Sequence, residues 1–503
     1  MPNLPDIIFD PRDEIIRQQA ERIQQQDERI KQLEQDILSL QALIESKADA
    51  KASKKPVFKE NYSLGRNQKT NNKKPKKKST GRKPNDGKEK LATKSVDIYP
   101  DDAPPQQCQR RRTQYVWRLI DGKAIYVAYH LFALPESTGA PLPPGVRNAR
   151  SEFGVEIILI LAFLHYWIGV SLDNAIQIMN FFTNLQLSKG QADSLLSQLA
   201  DDWDEQYDTI AELIALQMIV YIDETGWKVG SKSCYTWVFS TSMHVLYRCG
   251  VTRKKTEATE ILDEQFAGTG VTDDYAAYKS MFSQHQLCWA HLIRKAIKLA
   301  LKNPHEPQYT SFLDELCSIY DQAKQYRAQS LSNEESLSDE ESLSDEESTG
   351  EVVTVKRLQD RVTKLCSRSD EPIITAKAAE KADPPVAATP EPEATFILLQ
   401  RELVENLACL FVFVANPEVE PTNNISERNV RREAEIRKGA RTSKTVVGAK
   451  RRSTIVSVLA SLHTRIAFNL ANVLTEVEQW YKSGISVFEK ELQQHRVPIP
   501  APS

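Results

Sequence analysis

Glycine, methionine and paired cysteine are all scarce in this chain, which has 18 Gly, 5 Met and 7 Cys in 503 residues. The cysteines stand at positions 108, 234, 249, 288, 317, 366 and 409, with no Cys-x-x-Cys pair among them. In a chain this long, that scatter excludes a disulfide framework and points to a reducing compartment. A long uncharged apolar run is also missing. The strongest, IILILAFLHYWIGVSL over 157–172, contains His165 and is bounded by Glu156 and Asp173. It is short for a bilayer span, so a buried core helix is expected and no membrane partner. The opening residues MPNLPDIIFDPRDE lack a basic segment followed by an apolar core, so no secretory signal is expected.

What is present is an uneven charge distribution and a sizeable apolar content. Hydrophobic residues make up 41%, enough for more than one core, and the length suggests several domains. The net charge of −3 conceals two opposed runs. Residues 51–94 hold 16 Lys and Arg against 3 acids and read as a disordered basic arm suited to phosphate contact. Residues 331–348 carry ESLSDEES in tandem and read as a solvated acidic tract within an insertion over 303–394.

Before the arm, Ile16, Ile23, Ile30, Ile37 and Ile44 recur every seven residues, with Gln19, Gln26, Leu33 and Leu40 three positions after the first four. That heptad pattern predicts a coiled coil over 12–46 and hence a homodimer or higher oligomer. Residues 108–135 read as a β-hairpin turning at Asp121-Gly122. Residues 151–216 are helical, and their helix–turn–helix pattern makes them a possible DNA-binding region. From 217 onward the spacing predicts three strands, a helix, a fourth strand parallel to the first and another helix. This is an α/β class, and the order is that of a ribonuclease-H-like core over 217–302 and 395–480.

Two carboxylates stand at strand ends in that core. Asp223 follows IVYI and Asp273 follows a short apolar run ending in Val271 and Thr272. Glu224 and Asp274 are their neighbours and point to the opposite face if the strands continue. Glu427 lies in the basic stretch NNISERNVRR; on local features alone it is an ordinary i,i+4 partner of Arg431. Two strand-end aspartates and one helix-borne glutamate suit two divalent ions that bind carboxylate oxygens and substrate phosphate. Asn423, Asn424, Arg428, Arg431 and Arg432 are candidate DNA contacts, as are Arg294, Lys295 and Lys298. Arg437, Arg441, Lys444, Lys450, Arg451 and Arg452 extend that expected surface. Cys288 and His291, one turn apart in CWAHLIRK, make half a metal site and are expected to anchor their helix. Trp227 and Trp289 read as core.

These blocks together resemble the transposase family of insertion sequence 66, a bacterial DDE-type group. DETGWKV, TDDYAAY, CWAHLIRK and NNISERNVR occur in the family's order, and the likeness runs over most of 151–478. LGRNQKTNN and the tail GARTSKTVVGAKRRSTIVSVLASLH are similar to its outer segments. The resemblance implies that Asp223, Asp273 and Glu427 form the catalytic, metal-binding triad, with Mg²⁺ or Mn²⁺ as cofactor. It implies transposon ends and target DNA as partners, small accessory proteins beside them, and a cytoplasmic, nucleoid-associated location in a bacterium. The alternative is an inactive or domesticated DNA-binding derivative. Two departures stand out. Asp274 occupies a position where the family usually has Gly, and of the family's cysteine-rich zinc segment only Cys108 remains, so no zinc is expected there, nor at Cys288 and His291, which have no second pair of ligands.

Overall fold

The computed structural model describes residues 86–496, apart from 138, 265, 279–280, 338–344 and 375–388. The expected coiled coil at 12–46 and most of the basic arm lie outside the described residues. The arm does not continue to 94 as a disordered segment. A short helix occupies Asp86–Glu89, and strand β1 (Lys94–Ile98) begins at the arm's last residue. β1 is ordered because it pairs in parallel with β3 (Lys123–Ala133), in register from Lys94 with Val127 to Ile98 with Leu131. Its Val96 and Ile98 pack on a small core of Val116, Val127, Tyr129, Leu131 and Val146.

β2 (Gln109–Ile120) and β3 form the hairpin, and the sheet order is β1-β3-β2. Asp121 and Gly122 sit at φ 50° and 74°, and positive φ at both central residues is the turn whose twist matches a two-residue hairpin. A helical layer follows. α1 (Val155–Ala162) is almost wholly buried and runs into a π-helical turn at Phe163–Trp167. Among the described residues no single helix is long and apolar enough to cross a membrane. Then come α2 (Leu172–Thr183), α3 (Lys189–Asp202) and α4 (Asp204–Ala215). Ser188 and Gln191 close a capping box at the start of α3.

α3 fills the recognition-helix position of the expected helix–turn–helix, but its chemistry runs against that role. Its one base, Lys189, pairs with Asp173. Of its three acids, Asp193 and Asp202 are held by Arg451 and Arg147. A helix with more acids than bases, braced by the body of the protein, is poorly suited to a phosphate-lined groove.

The central sheet holds five strands in the order β6-β5-β4-β7-β8: β4 (Ile219–Val229), β5 (Lys232–Ser240), β6 (Val245–Val251), β7 (Thr269–Thr272) and β8 (Gln284–Leu287). β4 is antiparallel to β5 and parallel to β7, while β7 and β8 are parallel. α5 (Thr256–Leu262) links β6 to β7. Alternation along β4 sends Val220 and Ile222 into one apolar cluster and Tyr221 into another. The first cluster joins the sheet to α1–α4. It also takes in α11 (Val446–Arg465), α12 (Leu470–Ser483) and α13 (Val487–Arg496). The second joins it to α6 (Trp289–Lys302), α7 (Pro307–Leu337), α8 (Asp345–Leu365) and α9 (Glu391–Glu405).

The insertion is therefore more than a surface expansion, since Phe312, Leu316, Ile319, Leu358 and Val362 are buried in the second cluster. The described ends of its acidic tract are helical. Residues 331–337 end α7 and 345–348 begin α8, as continuations of helices whose apolar anchors lie outside the tract.

The free edge of β6 is covered by α11. Val245, Tyr247 and Cys249 donate their backbone N–H groups to Ser461 (3.0 Å), Ser457 (2.8 Å) and Ser453 (2.9 Å). Every second strand residue advances about 6.8 Å and every fourth helix residue about 6 Å, so a serine at each fourth position keeps step with the edge. Replacing Ser457 by Ala would strand a buried donor at Tyr247. We expect a loss of about 1–3 kcal/mol, read from the chemical-denaturation midpoint, whereas Ala at the exposed Ser483 should change little.

Candidate active site

Asp223 and Asp273 come together through the register of two parallel strands. The last backbone pair of β4 and β7 is Tyr221 with Val271, and each aspartate stands two residues further on. Both therefore emerge at one end of the sheet. Asp223 accepts the backbone N–H of Glu224 at 2.8 Å, and Asp273 accepts that of Tyr275 at 3.1 Å. Burial pushes the Asp223 carboxyl up to about 8, and the negative charges of Glu224, Asp273 and Glu427 push the same way. A buried carboxyl with three further acids acting on it marks a site short of positive charge, which fits a divalent cation held by oxygen ligands.

Glu224 is spoken for. Arg253 donates to its Oε1 through Nε at 2.8 Å and the terminal nitrogen at 2.5 Å, and the Tyr278 hydroxyl donates to its Oε2. It lies on the far side of the strand from Asp223, as alternation requires. Asp274 acts on Glu402, whose carboxyl burial raises and Lys295 lowers.

Glu427 arrives on α10 (Asn424–Lys438), and the start of that helix is tied to the sheet. Asn423 donates through Nδ2 to the Ile222 carbonyl at 2.7 Å and through its backbone N–H to Cys288 Sγ at 3.2 Å. Ser426 donates to the Val238 carbonyl at 3.2 Å, and Asn429 to the Ser240 hydroxyl at 3.1 Å. These bonds set the first turn, with Glu427 in it, beside Asp223; the amino end of a helix also favours a carboxylate. The electrostatic influence of Glu427 and Asp273 on Asp223 follows from this convergence.

The local pairing of Glu427 with Arg431 does not occur. Arg294 donates to both Glu427 oxygens at 2.9 and 3.1 Å. Cys288 Sγ and His291 Nδ1 lie 3.7 and 3.5 Å from Glu427 Oε1. Cys288 is the residue preceding α6, so its link to Asn423 anchors that helix to α10. Sequence reasoning missed this three-residue meeting, because 139 residues separate Cys288 from Glu427.

The candidate nucleic-acid contacts divide into open and committed side chains. Arg428 and Arg431 are exposed and, with Arg432, line a cleft of about 430 Å³ that includes Trp167 and Arg441. The Arg432 guanidinium lies 3.4 Å from the centre of the Trp167 ring. Asn424 is exposed, but Asn423 is wholly buried and serves as a tether, not a contact. Lys295 pairs with Glu402, and Lys298 opens with it onto a second cleft of about 510 Å³.

Most of the farther cations have partners within the protein. Arg437 and Arg441 donate to the carbonyls of Gly226 and Gly169. Lys450 pairs with Asp204, and Arg451 holds Asp193. Arg452 is buried and makes a two-point pair with Glu433 at 2.7 and 2.8 Å, beneath Trp227. Charge in the sequence could not separate the buried Arg452 from Arg441, Lys444 and Lys450, which are exposed. Trp227 and Trp289 are both core residues, their indole N–H groups bonded to Ser443 and the Leu410 carbonyl.

The raised Asp223 carboxyl gives a test with a defined sign. A carboxyl lifted from about 4 holds its proton through neutral pH in the metal-free fold. Its contribution to stability is full below about 4 and is lost as pH rises through about 8. A divalent cation must displace that proton, so Mn²⁺ affinity should rise between pH 6 and 8 and flatten above. Titration calorimetry in buffers of different ionisation heat should show proton release at pH 7. Release that persists unchanged in Asp223→Asn would contradict this account.

Comparison with known proteins gives one match to a family. The model of the Transposase IS66 family matches residues 150–451, more than half of the chain. No curated protein matches.

Proposed function

This chain belongs to the IS66 family of transposases, and from that premise we propose that it binds the terminal inverted repeats of an insertion sequence and catalyses metal-dependent cleavage and transfer of DNA strands. The observation that carries the catalytic part is the convergence of Asp223, Asp273 and Glu427 from two parallel strand ends and a tethered helix start. The strand order, with three antiparallel strands continued by two parallel ones, supports a ribonuclease-H-like reading of the mixed α/β core.

Asp223 and Asp273 would hold a divalent cation, Mg²⁺ or Mn²⁺, and Glu427 would complete the set. Bound there, the ions supply charge stabilisation at the phosphate and activate water or a 3′-hydroxyl as nucleophile. The protein's part is placement. Arg253 and Tyr278 hold Glu224 away on the other face, leaving Asp223 to the site. Arg294 neutralises Glu427 and would have to yield as cations enter. The exposed Arg428 and Arg431, beside the Trp167–Arg432 stack, give the DNA backbone a basic approach on the same helix as Glu427. The amino-terminal basic arm and heptad segment would add phosphate contact and pair two subunits at the two ends.

The test is strand cleavage on the element's own flanking DNA with Mg²⁺, comparing wild type with Asp223→Asn, Asp273→Asn and Glu427→Gln. Losing several kcal/mol of metal-borne charge stabilisation, at about 1.4 kcal/mol per tenfold, means a rate drop of roughly 10³-fold with DNA binding kept. Cleavage by the variants at wild-type rate would sink the assignment. Separately, Arg428→Ala and Arg431→Ala should each lower the slope of log affinity against log salt by about 1 on any DNA sequence. An unchanged slope would remove α10 from the DNA path.

A further inference from the structure

Cys288, His291 and Glu427 bring a sulfur, a nitrogen and an oxygen ligand within 4.8 Å of one another. The distances from Glu427 Oε1, 3.7 Å to Cys288 Sγ and 3.5 Å to His291 Nδ1, can be compared with a tetrahedral site. Zinc at about 2.3 Å from sulfur and 2.0–2.1 Å from nitrogen or oxygen sets its ligands roughly 3.3–3.6 Å apart. Both Glu427 distances thus stand within a few tenths of an ångström of that spacing, and the sulfur and nitrogen are within 4.8 Å of each other. His291 Nδ1 is a buried nitrogen with no hydrogen-bond partner, and it faces Glu427. Cys288 Sγ already accepts the Asn423 N–H at 3.2 Å and sits where α6 begins; burial and the Glu427 carboxylate push its thiol up, so a cation bound there must displace the thiol proton.

We propose that Cys288, His291 and Glu427 form a site for a thiophilic divalent cation of the Zn²⁺ type, distinct from the Mg²⁺ site but sharing Glu427 with it. The ligand sets differ in softness. Asp223 and Asp273 offer only oxygen, which suits Mg²⁺ or Mn²⁺; Cys288 and His291 offer sulfur and nitrogen, which they do not. On binding, the Cys288 thiol loses its proton to solvent and Arg294 leaves Glu427. Three protein ligands leave a fourth position for water. Because one carboxylate serves both sites, filling the soft site draws Glu427 away from Asp223 and Asp273. Zn²⁺ is then an inhibitor of the Mg²⁺-dependent reaction. The binding stands on the geometry alone, whereas the inhibition rests on the catalytic role proposed for Glu427.

The probe is Co²⁺ added to the full-length metal-free protein, followed by absorption. Thiolate coordination gives a sulfur-to-cobalt charge-transfer band, and Zn²⁺ should displace it. The band should vanish in Cys288→Ser, which keeps a polar acceptor for Asn423. It should need more than about 100-fold more Co²⁺ in His291→Gln, beyond the usual cost of losing an outer-sphere partner. It should persist in Asp223→Asn and sharpen to lower Co²⁺ in Arg294→Ala. A band indifferent to both Cys288→Ser and His291→Gln, or absent from wild type, overturns the site. In the cleavage assay each protein is normalised to its own zinc-free rate. Zn²⁺ should suppress wild type and spare His291→Gln. Correct cobalt behaviour with zinc-insensitive cleavage overturns the shared-ligand competition. Cleavage surviving in Glu427→Gln instead strikes the catalytic reading and leaves the cobalt result to stand by itself.

Discussion

One amide holds the candidate centre together. The Asn423 side chain bonds to the carbonyl of Ile222 across 201 residues of chain. Its neighbours are the two ends of everything else: Asp223 follows Ile222, and α10 follows Asn423. A buried amide with such a partner has one position available to it, since withdrawing it would strand polar groups in an apolar surround. The same residue's backbone N–H fixes Cys288, so α6, α10 and β4 are registered against each other at a single point. Two strands in the correct register bring two carboxylates close; this tether, with the bonds of Ser426 and Asn429 to β5, brings the third.

Around that point the charges are arranged in unequal balance. Glu224 is fully answered by Arg253 and Tyr278, and Glu433 by Arg452, both away from solvent. Asp223 is left with a backbone N–H and three acidic neighbours. Removing one member of the Arg452–Glu433 pair would leave a buried charge alone, which makes that pair a fixed strut between α10 and α11. Glu224 and Glu433 are thus matched by cations, while at the strand ends Asp223 is left unmatched.

Much of this frame was legible from residue order. Short apolar runs ending in Asp announced β4 and β7, Asp121-Gly122 announced the hairpin, and the apolar stretch at 157–172 announced a buried helix. β8 was not legible, because Gln284 to Leu287 is four residues with a polar half and is a strand only by pairing with β7. The helices within the acidic tract were hidden for a similar reason: their anchors lie in α7 and α8, outside the biased segment. Basic residues were the least readable. Arg431, open to solvent, and Arg452, buried beneath a tryptophan, carry the same charge in the same kind of sequence, and only packing separates them. Likewise Asn423 and Asn424 are adjacent and identical, yet one is a tether and the other a surface group.

The serine ladder of α11 has a consequence for assembly. An open strand edge invites a strand from another chain, and a protein that gathers several copies on one DNA segment would meet that invitation at high local concentration. With Ser453, Ser457 and Ser461 already bonded to β6, the edge offers those donors to no newcomer. Copies of this chain can crowd together without growing a shared sheet on that side, and their association is left to surfaces whose specificity side chains can write.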